Sequence, residues 1–172
     1  RDLGIPIGSD LERHFVELRK MASGIHLIGE ISDRLRARVM ATGELMATRI
    51  GAAYLASEGL DVQWLDARTI LHAEERSGAT VRANYLSATC NFEPDPALQQ
   101  RLSTGGNVLL TQGFIASDSK GETVLLGRGG SDTSGSYLAA KLHARRLEIW
   151  TDVPGMFTAN PRAVPNARLL KS

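Results

Sequence analysis

Cysteine is almost missing: Cys90 is the only one among 172 residues. A single thiol excludes an intrachain disulfide and fits a reducing compartment, the cytoplasm. No histidine partner can be assigned to it from sequence, so Cys90 reads as a small buried hydrophobe rather than a nucleophile. An excess of charge of either sign is missing too. Lys plus Arg number 20 and Asp plus Glu 19, which removes any global electrostatic case for nucleic acid or an anionic membrane. No apolar run is long enough to cross a bilayer, and no signal-peptide pattern opens the chain. His14, His26, His72 and His143 lack the spacing of metal ligands. There is no internal repeat and no low-complexity segment.

What remains is ordinary for a soluble globular protein, with 42% hydrophobic and 23% charged residues. This length buries a substantial core without disulfide or structural metal. The chain opens on Arg1-Asp2-Leu3 without Met and closes on Lys171-Ser172 after an irregular segment. The expectation is therefore that residues 1–172 are the central part of a longer catalytic domain.

Ser9 to Met21 has helical spacing, with Leu11, Phe15, Leu18 and Met21 on one side, Ser9 as cap and Gly24 just past the end. Ile25 to Ile31 is a short apolar stretch that can continue as helix. Ser32 to Met40, carrying Arg34, Arg36 and Arg38, reads as a solvated helical face. Gly43 to Ser57 is the clearest long helix, closed by Gly59. Val62 to Asp66 follows as a strand, and Thr69 to Glu75 is ambiguous.

Pro94-Asp95-Pro96 breaks the chain ahead of a short helix through Ala97 to Leu102. Asn107 to Thr111 is a continuous apolar run, the kind buried on both faces of an α/β sheet. Gly113 to Ala116 extends it into a loop. Ser117 to Gly121 is a polar turn and Thr123 to Leu126 another strand. Gly127 to Gly130 is a glycine-rich turn opening a helix from Ser131 to His143, with Leu138, Ala139 and Leu142 inward. Leu147 to Asp152 reads as a final strand. Strands alternating with helices predict a largely parallel sheet covered by helices.

Three clusters carry candidate chemistry. Gly127-Arg128-Gly129-Gly130-Ser131-Asp132 lies between a strand and a helix. Glycines let the backbone approach a ligand, and free N–H groups at the helix start favour an anion. No Lys-Ser/Thr follows, so this is not a P-loop, and the glycine spacing does not match the dinucleotide turn. A tight turn followed by a helix capped by Ser131 and Asp132 fits the same residues. Arg128 within the turn suits a carboxylate or phosphate gripped by two parallel hydrogen bonds; the competing reading is a surface Arg.

The second cluster runs from Trp150 through Thr151, Asp152, Pro154-Gly155, Phe157 and Asn160-Pro161 to Arg162. It begins at the carboxyl end of a predicted strand, where open α/β sheets bind ligands. The plainer reading is a loop with good turn chemistry and a salt-bridging Asp152. The third is Thr42-Gly43-Glu44, an acid near a helix start that either complements the helix dipole or receives a cationic ligand group.

In order and spacing these blocks resemble the aspartate kinases of the amino-acid kinase superfamily. The matching segments are Thr42 to Met46, Thr111 to Ile115 with Gly127 to Asp132, and Trp150 to Gly155 with Asn160 to Arg162. Trp64 to Arg68 also looks like the family's strand after the long helix. The resemblance implies an α/β three-layer αβα sandwich with a mainly parallel sheet, the amino-acid kinase fold, incomplete at both ends. It implies transfer of the γ-phosphoryl group of ATP, with Mg2+, to the β-carboxylate of L-aspartate. The product, 4-phospho-L-aspartate, opens lysine, methionine and threonine biosynthesis. It also implies a homo-oligomer.

Carried over by position, Arg128 pairs with the substrate α-carboxylate and Glu44 with its ammonium. Phe114, Ser131 and Asp132 complete the aspartate pocket, Asp132 as the candidate catalytic residue. Thr151, Asp152, Phe157 and Arg162 line the nucleotide pocket. Phe157 stands where many relatives have Tyr, and Asn160 where Asp is common. The family's Lys-Phe-Gly-Gly-Thr-Ser, whose Lys neutralises the transferring phosphate, is absent here, so this stretch alone is expected to bind rather than turn over. The segments Asp132 to Tyr137 and Gly155 to Pro161 point further to kinases fused to diaminopimelate decarboxylase. The alternative is a non-catalytic nucleotide-, aspartate- or subunit-binding module, or a superfamily kinase acting on another carboxylate.

Overall fold

The computed structural model describes residues 3–5, 8–103, 107–151 and 155–170. Its elements are α1 (Ser9–Ile28), α2 (Asp33–Ser57), β1 (Val62–Trp64), a 3-10 turn (Ala67–Thr69), α3 (Val81–Leu86) and α4 (Pro96–Ser103). They continue with β2 (Val108–Leu110), β3 (Ile115–Ser117), β4 (Thr123–Leu125) and α5 (Gly130–Lys141).

The first two helices are longer than their sequence signals. Gly24 does not stop α1, which runs on until Gly29 takes a left-handed φ of 73° and returns its N–H to Ile25 at 2.8 Å. Ser9 does not cap it; the cap position is Gly8 and no side chain bonds there. Phe15 points outward at 47% exposure, and His14 takes its place on the inward stripe with Leu11, Leu18 and Met21. The two segments expected on either side of Gly43 are one helix. Ser32 caps it through Leu35 N–H, and nothing in it breaks the ladder, since an interior glycine costs only about 1 kcal/mol. Asp95 caps α4 by accepting Leu98 N–H at 2.9 Å, and Pro96 occupies the first helical position, where its missing donor is harmless.

The α/β class holds, but the described strands form two small sheets. β1 and β2 pair in parallel, Val62 against Val108 and Trp64 against Leu110. β3 and β4 form an antiparallel hairpin with Ile115 opposite Leu125. The β2 run expected to be buried on both faces is only half-buried. The two-sided strands are those of the hairpin. Ile115 and Leu125 face Ala37, Ala41 and Leu45 of α2, while Ala116 and Val124 face Leu71, Cys90, Leu98 and Tyr137. Alternate side chains of one short hairpin thus feed two cores. The segment after Ser117 turns because Asp118 accepts both Lys120 and Glu122 N–H, with Gly121 at φ 75°.

Residues 147–151 are not a strand, and Asp152 lies outside the described residues. No described strand offers them a ladder; Leu147 rests over Gly135 of α5, and Trp150 is 89% exposed. Cys90 is buried in the core, and burial pushes its thiol up to about 11, as a packed hydrophobe requires.

Beside β1, Asp66 and Arg68 form a salt bridge at 2.6 Å, and Arg68 also donates to Thr123. Burial alone would raise the Asp66 carboxyl. The hydrogen bonds from Arg68, with the charges of Arg68 and Arg49, outweigh it and hold the group below its ordinary 3.8. A lowered folded pKa contributes stability above the unfolded value and loses it as pH falls through the folded one. Asp66→Asn is therefore expected to be less stable than the parent at neutral pH. Urea titrations at decreasing pH should show that gap closing only below about pH 4, where the free carboxyl begins to protonate.

Candidate functional site

The glycine turn and the segment before β3 touch through their backbones. A Cβ on Gly113 would lie 2.8 Å from Ser131 Cα, and one on Gly130 2.7 Å from Phe114 Cδ2. Neither contact leaves room for a side chain, so two glycines far apart in sequence are required by each other's surroundings. Gly127 and Gly129 hold the turn at φ 78° and 70°, and Gly130 N–H returns to Gly127 C=O at 3.1 Å. Phe114 itself has φ 71°, a conformation that costs a bulky residue on the order of 1–3 kcal/mol and persists only when over-determined. Its N–H is accepted by Ser134 Oγ at 2.9 Å, and its carbonyl receives Leu126 N–H at 2.9 Å.

Arg128, Ser131 and Asp132 stand exposed on the turn and first helical turn, and Phe114 is half-buried beside them. Arg128 makes no hydrogen bond or ion pair with the described residues. The tight-turn reading holds in that α5 starts directly from the turn, but neither Ser131 nor Asp132 caps the helix, whose cap position is Gly129. Gly130 N–H is taken up by Gly127 C=O, so the side chains and N–H groups of Ser131 and Asp132 are the ones left for an anion beside Arg128.

Glu44 lies in the middle of α2, not at its start, so the helix-dipole explanation falls. Its neighbour Leu45 is in the core cluster with Ile115 and Leu125, against which Phe114 packs. Four residues on, the Thr48 hydroxyl donates to Glu44 C=O at 2.8 Å and accepts from Gln112 Nε2 at 2.7 Å and Trp64 Nε1 at 3.0 Å. One donor and two lone pairs are thereby all used. Gln112 is 1% exposed and also accepts Ala67 N–H at 2.8 Å. This buried network ties the α2 turn that bears Glu44 to the residue two before Phe114. Sequence reading missed Gln112; its signal is a polar residue closing an apolar run. Gln112→Leu keeps the size but strands Ala67 N–H and a Thr48 lone pair, at about 1–3 kcal/mol for each unsatisfied group. A loss of about 3 kcal/mol in urea unfolding is expected.

The second cluster is folded on itself. Phe157 bridges Leu169, Thr158 N–H bonds Arg168 C=O at 2.9 Å, and Arg162 N–H bonds Asn160 Oδ1 at 3.0 Å. Thr151 and Arg162 are exposed, Phe157 half-buried, and the hydrogen bonds found for residues 155–170 stay within that segment. The structure thus sets Phe114 beside the turn that bears Arg128, Ser131 and Asp132 and ties the α2 turn of Glu44 to it through Thr48, while Phe157 and Arg162 lie in the 155–170 segment and Thr151 is exposed. No cluster of three metal-ligating side chains occurs among the described residues.

These elements define an α/β protein with an arginine-bearing glycine turn opening a helix. The chain belongs to the amino acid kinase family, whose model matches residues 8–172. It is 39% identical over 163 residues to a bifunctional aspartokinase/homoserine dehydrogenase of Buchnera aphidicola, covering 94% of this chain and 19% of that protein. It is 37% identical over 157 residues to lysine-sensitive aspartokinase 3 of Escherichia coli, covering 88% and 34%. Among solved structures it superposes on E. coli aspartokinase III in complex with aspartate and ADP. The TM-score is 0.72 at 34% identity, over 94% of this chain and 34% of that one. The chain therefore has the amino-acid kinase fold and spans about a fifth to a third of these relatives. The bifunctional relative named here carries a homoserine dehydrogenase, not the expected decarboxylase.

Proposed function

We propose that the protein containing this chain is an aspartate kinase, transferring the γ-phosphoryl group of ATP to the β-carboxylate of L-aspartate. The observation that carries this reading is Arg128, without a partner among the described residues, on a turn locked against Phe114, within a chain matching an aspartokinase solved with aspartate and ADP. Aspartate presents two carboxylates and an ammonium. Arg128 supplies the planar fork for the α-carboxylate and Glu44 the anion for the ammonium, while Phe114 and Ser131 line the pocket. Asp132, in the first turn of α5, is assigned to the catalytic step, its charge favoured there by the helix N-terminus. Thr151, Asp152, Phe157 and Arg162 are assigned to the nucleotide, which arrives as its Mg2+ complex.

Phosphoryl transfer between two anions depends on positioning and charge neutralisation, so no covalent nucleophile is required. A cytoplasmic location, a homo-oligomer and a place at the head of lysine, methionine and threonine synthesis belong to the same proposal. ADP release by the full-length protein, compared across L-aspartate, L-glutamate and carbamate, tests it. Saturable release with aspartate is expected; release with glutamate or carbamate alone would move the protein elsewhere in the family.

A further inference from the structure

We propose that Ser134 is a positioning residue for the aspartate pocket, holding Phe114 and the glycine turn in one geometry; this rests on the aspartate-kinase reading above. Ser134 is only 2% exposed, so it acts through its neighbours rather than on a ligand. Its hydroxyl donates to Gly130 C=O at 2.6 Å and accepts Phe114 N–H at 2.9 Å. A hydroxyl has a single proton, and here it goes to the turn while a lone pair serves the loop. One oxygen atom therefore joins the segment bearing Phe114 to the segment bearing Arg128 and Ser131.

The link matters because Phe114 is in a left-handed conformation at φ 71°. Its carbonyl is fixed by a backbone bond from Leu126. Ser134 is the only side chain found hydrogen-bonded to its backbone among the described residues. Without that acceptor the Phe114 N–H loses its partner, and the residue is free to relax toward negative φ. The ring, seated where a Gly130 Cβ would be 2.7 Å away, then swings off the turn. The aspartate pocket loses its wall, while Phe157 and Arg162, in the 155–170 segment whose hydrogen bonds stay within it, share none with Ser134 and are left unchanged.

Sequence reading passes over Ser134, since a serine within a helix ordinarily bonds back to the carbonyl four residues earlier, as this one also does. The test uses Ser134→Thr and Ser134→Val in the full-length protein, two side chains of one shape that differ in the hydroxyl. The Thr variant should keep the parental KM for aspartate. The Val variant should raise it about tenfold, as a displaced substrate-positioning group does, with the KM for ATP within about twofold. Equal aspartate KM values for Thr and Val, or parallel rises in both KM values for Val, would overturn the inference. If Val does not fold, Ser134→Ala, which adds no bulk, carries the same expectation against the parent. A parent with no aspartate-dependent ADP release would sink the functional reading instead. An active parent with matched Thr and Val variants would sink the role of Ser134 alone.

Discussion

Arg128→Ala is expected to lower kcat/KM for aspartate by about 100-fold, the equivalent of roughly 3 kcal/mol, while leaving the fold untouched. Arg128 is exposed and makes no bond to the described residues, so its removal unsettles nothing in the folded chain. Surface substitutions of this kind stay within about 0.5 kcal/mol of the parent. The loss falls on the ligand: two parallel hydrogen bonds between ions, each worth about 1.5–3 kcal/mol. Arg128→Lys should recover only part of it, because an ammonium cannot present the planar fork. The assignment to the α-carboxylate has its own check. β-Alanine lacks that group, so the parent and Arg128→Ala should handle it equally poorly. A penalty of the same size with β-alanine would place Arg128 elsewhere in the reaction.

Gly113→Ala is expected to destabilise the chain by about 3 kcal/mol, at or beyond the upper end for overpacking. The new methyl would meet Ser131 Cα and Oγ at 2.8 Å and Cβ at 2.9 Å. A flexible side chain could swing aside, but Cα belongs to the first turn of α5, so the helix itself must move. That shift would also pull Ser131 and Arg128 from Phe114, and aspartate binding should fall with stability. Gly43→Ala is the internal contrast. It lies in α2 with nothing within 4 Å of its Cβ position, and the gain in helix propensity is about 0.5–1 kcal/mol. Urea unfolding of both variants separates a glycine needed for contact from one the helix merely tolerates.

This contrast also marks how far the sequence could be read. The helices α2, α4 and α5, the strands β1, β2 and β4, and the glycine turn were legible, because periodicity and punctuation are local signals. The fusion across Gly43 was not, since a glycine costs a helix too little to end it when Ala37, Ala41 and Leu45 are buried on one face. The strand β3 was hidden because Gly113 and Phe114 look like a loop, and it takes shape through partners distant in the local pattern, β4 on one side and Leu71 and Ala73 on the other. The strand expected at Leu147 to Asp152 has strand composition, but a strand also needs a partner, and none is described beside residues 147–151.

The candidate site divides along the same line. Arg128, Ser131 and Asp132 were candidates from the glycine turn, and Glu44 from its place beside Thr42-Gly43, with the resemblance favouring a ligand over the helix dipole. Gln112 carried only the faint signal of a polar residue closing an apolar run and Ser134 none, because each looks unremarkable until its partners Thr48, Ala67, Phe114 and Gly130 are brought up to it. The inward stripe of α5 is Ser134, Tyr137 and Lys141, with Leu138 and Leu142 only partly buried. Hydrophobicity alone marked Leu138 and Leu142, which pack against the same core cluster, but not Ser134 and Lys141, which are buried more deeply beside them.

The most direct measurement is to identify the acyl phosphate. Full-length protein is incubated with MgATP, L-aspartate and hydroxylamine, which captures an activated carboxyl group as its hydroxamate. The proposed assignment of Arg128 and Glu44 to aspartate predicts the β-hydroxamate, formed in step with ADP and falling about 100-fold in efficiency with Arg128→Ala. ADP without hydroxamate, an α-hydroxamate, or a β-hydroxamate formed equally well by Arg128→Ala would contradict it.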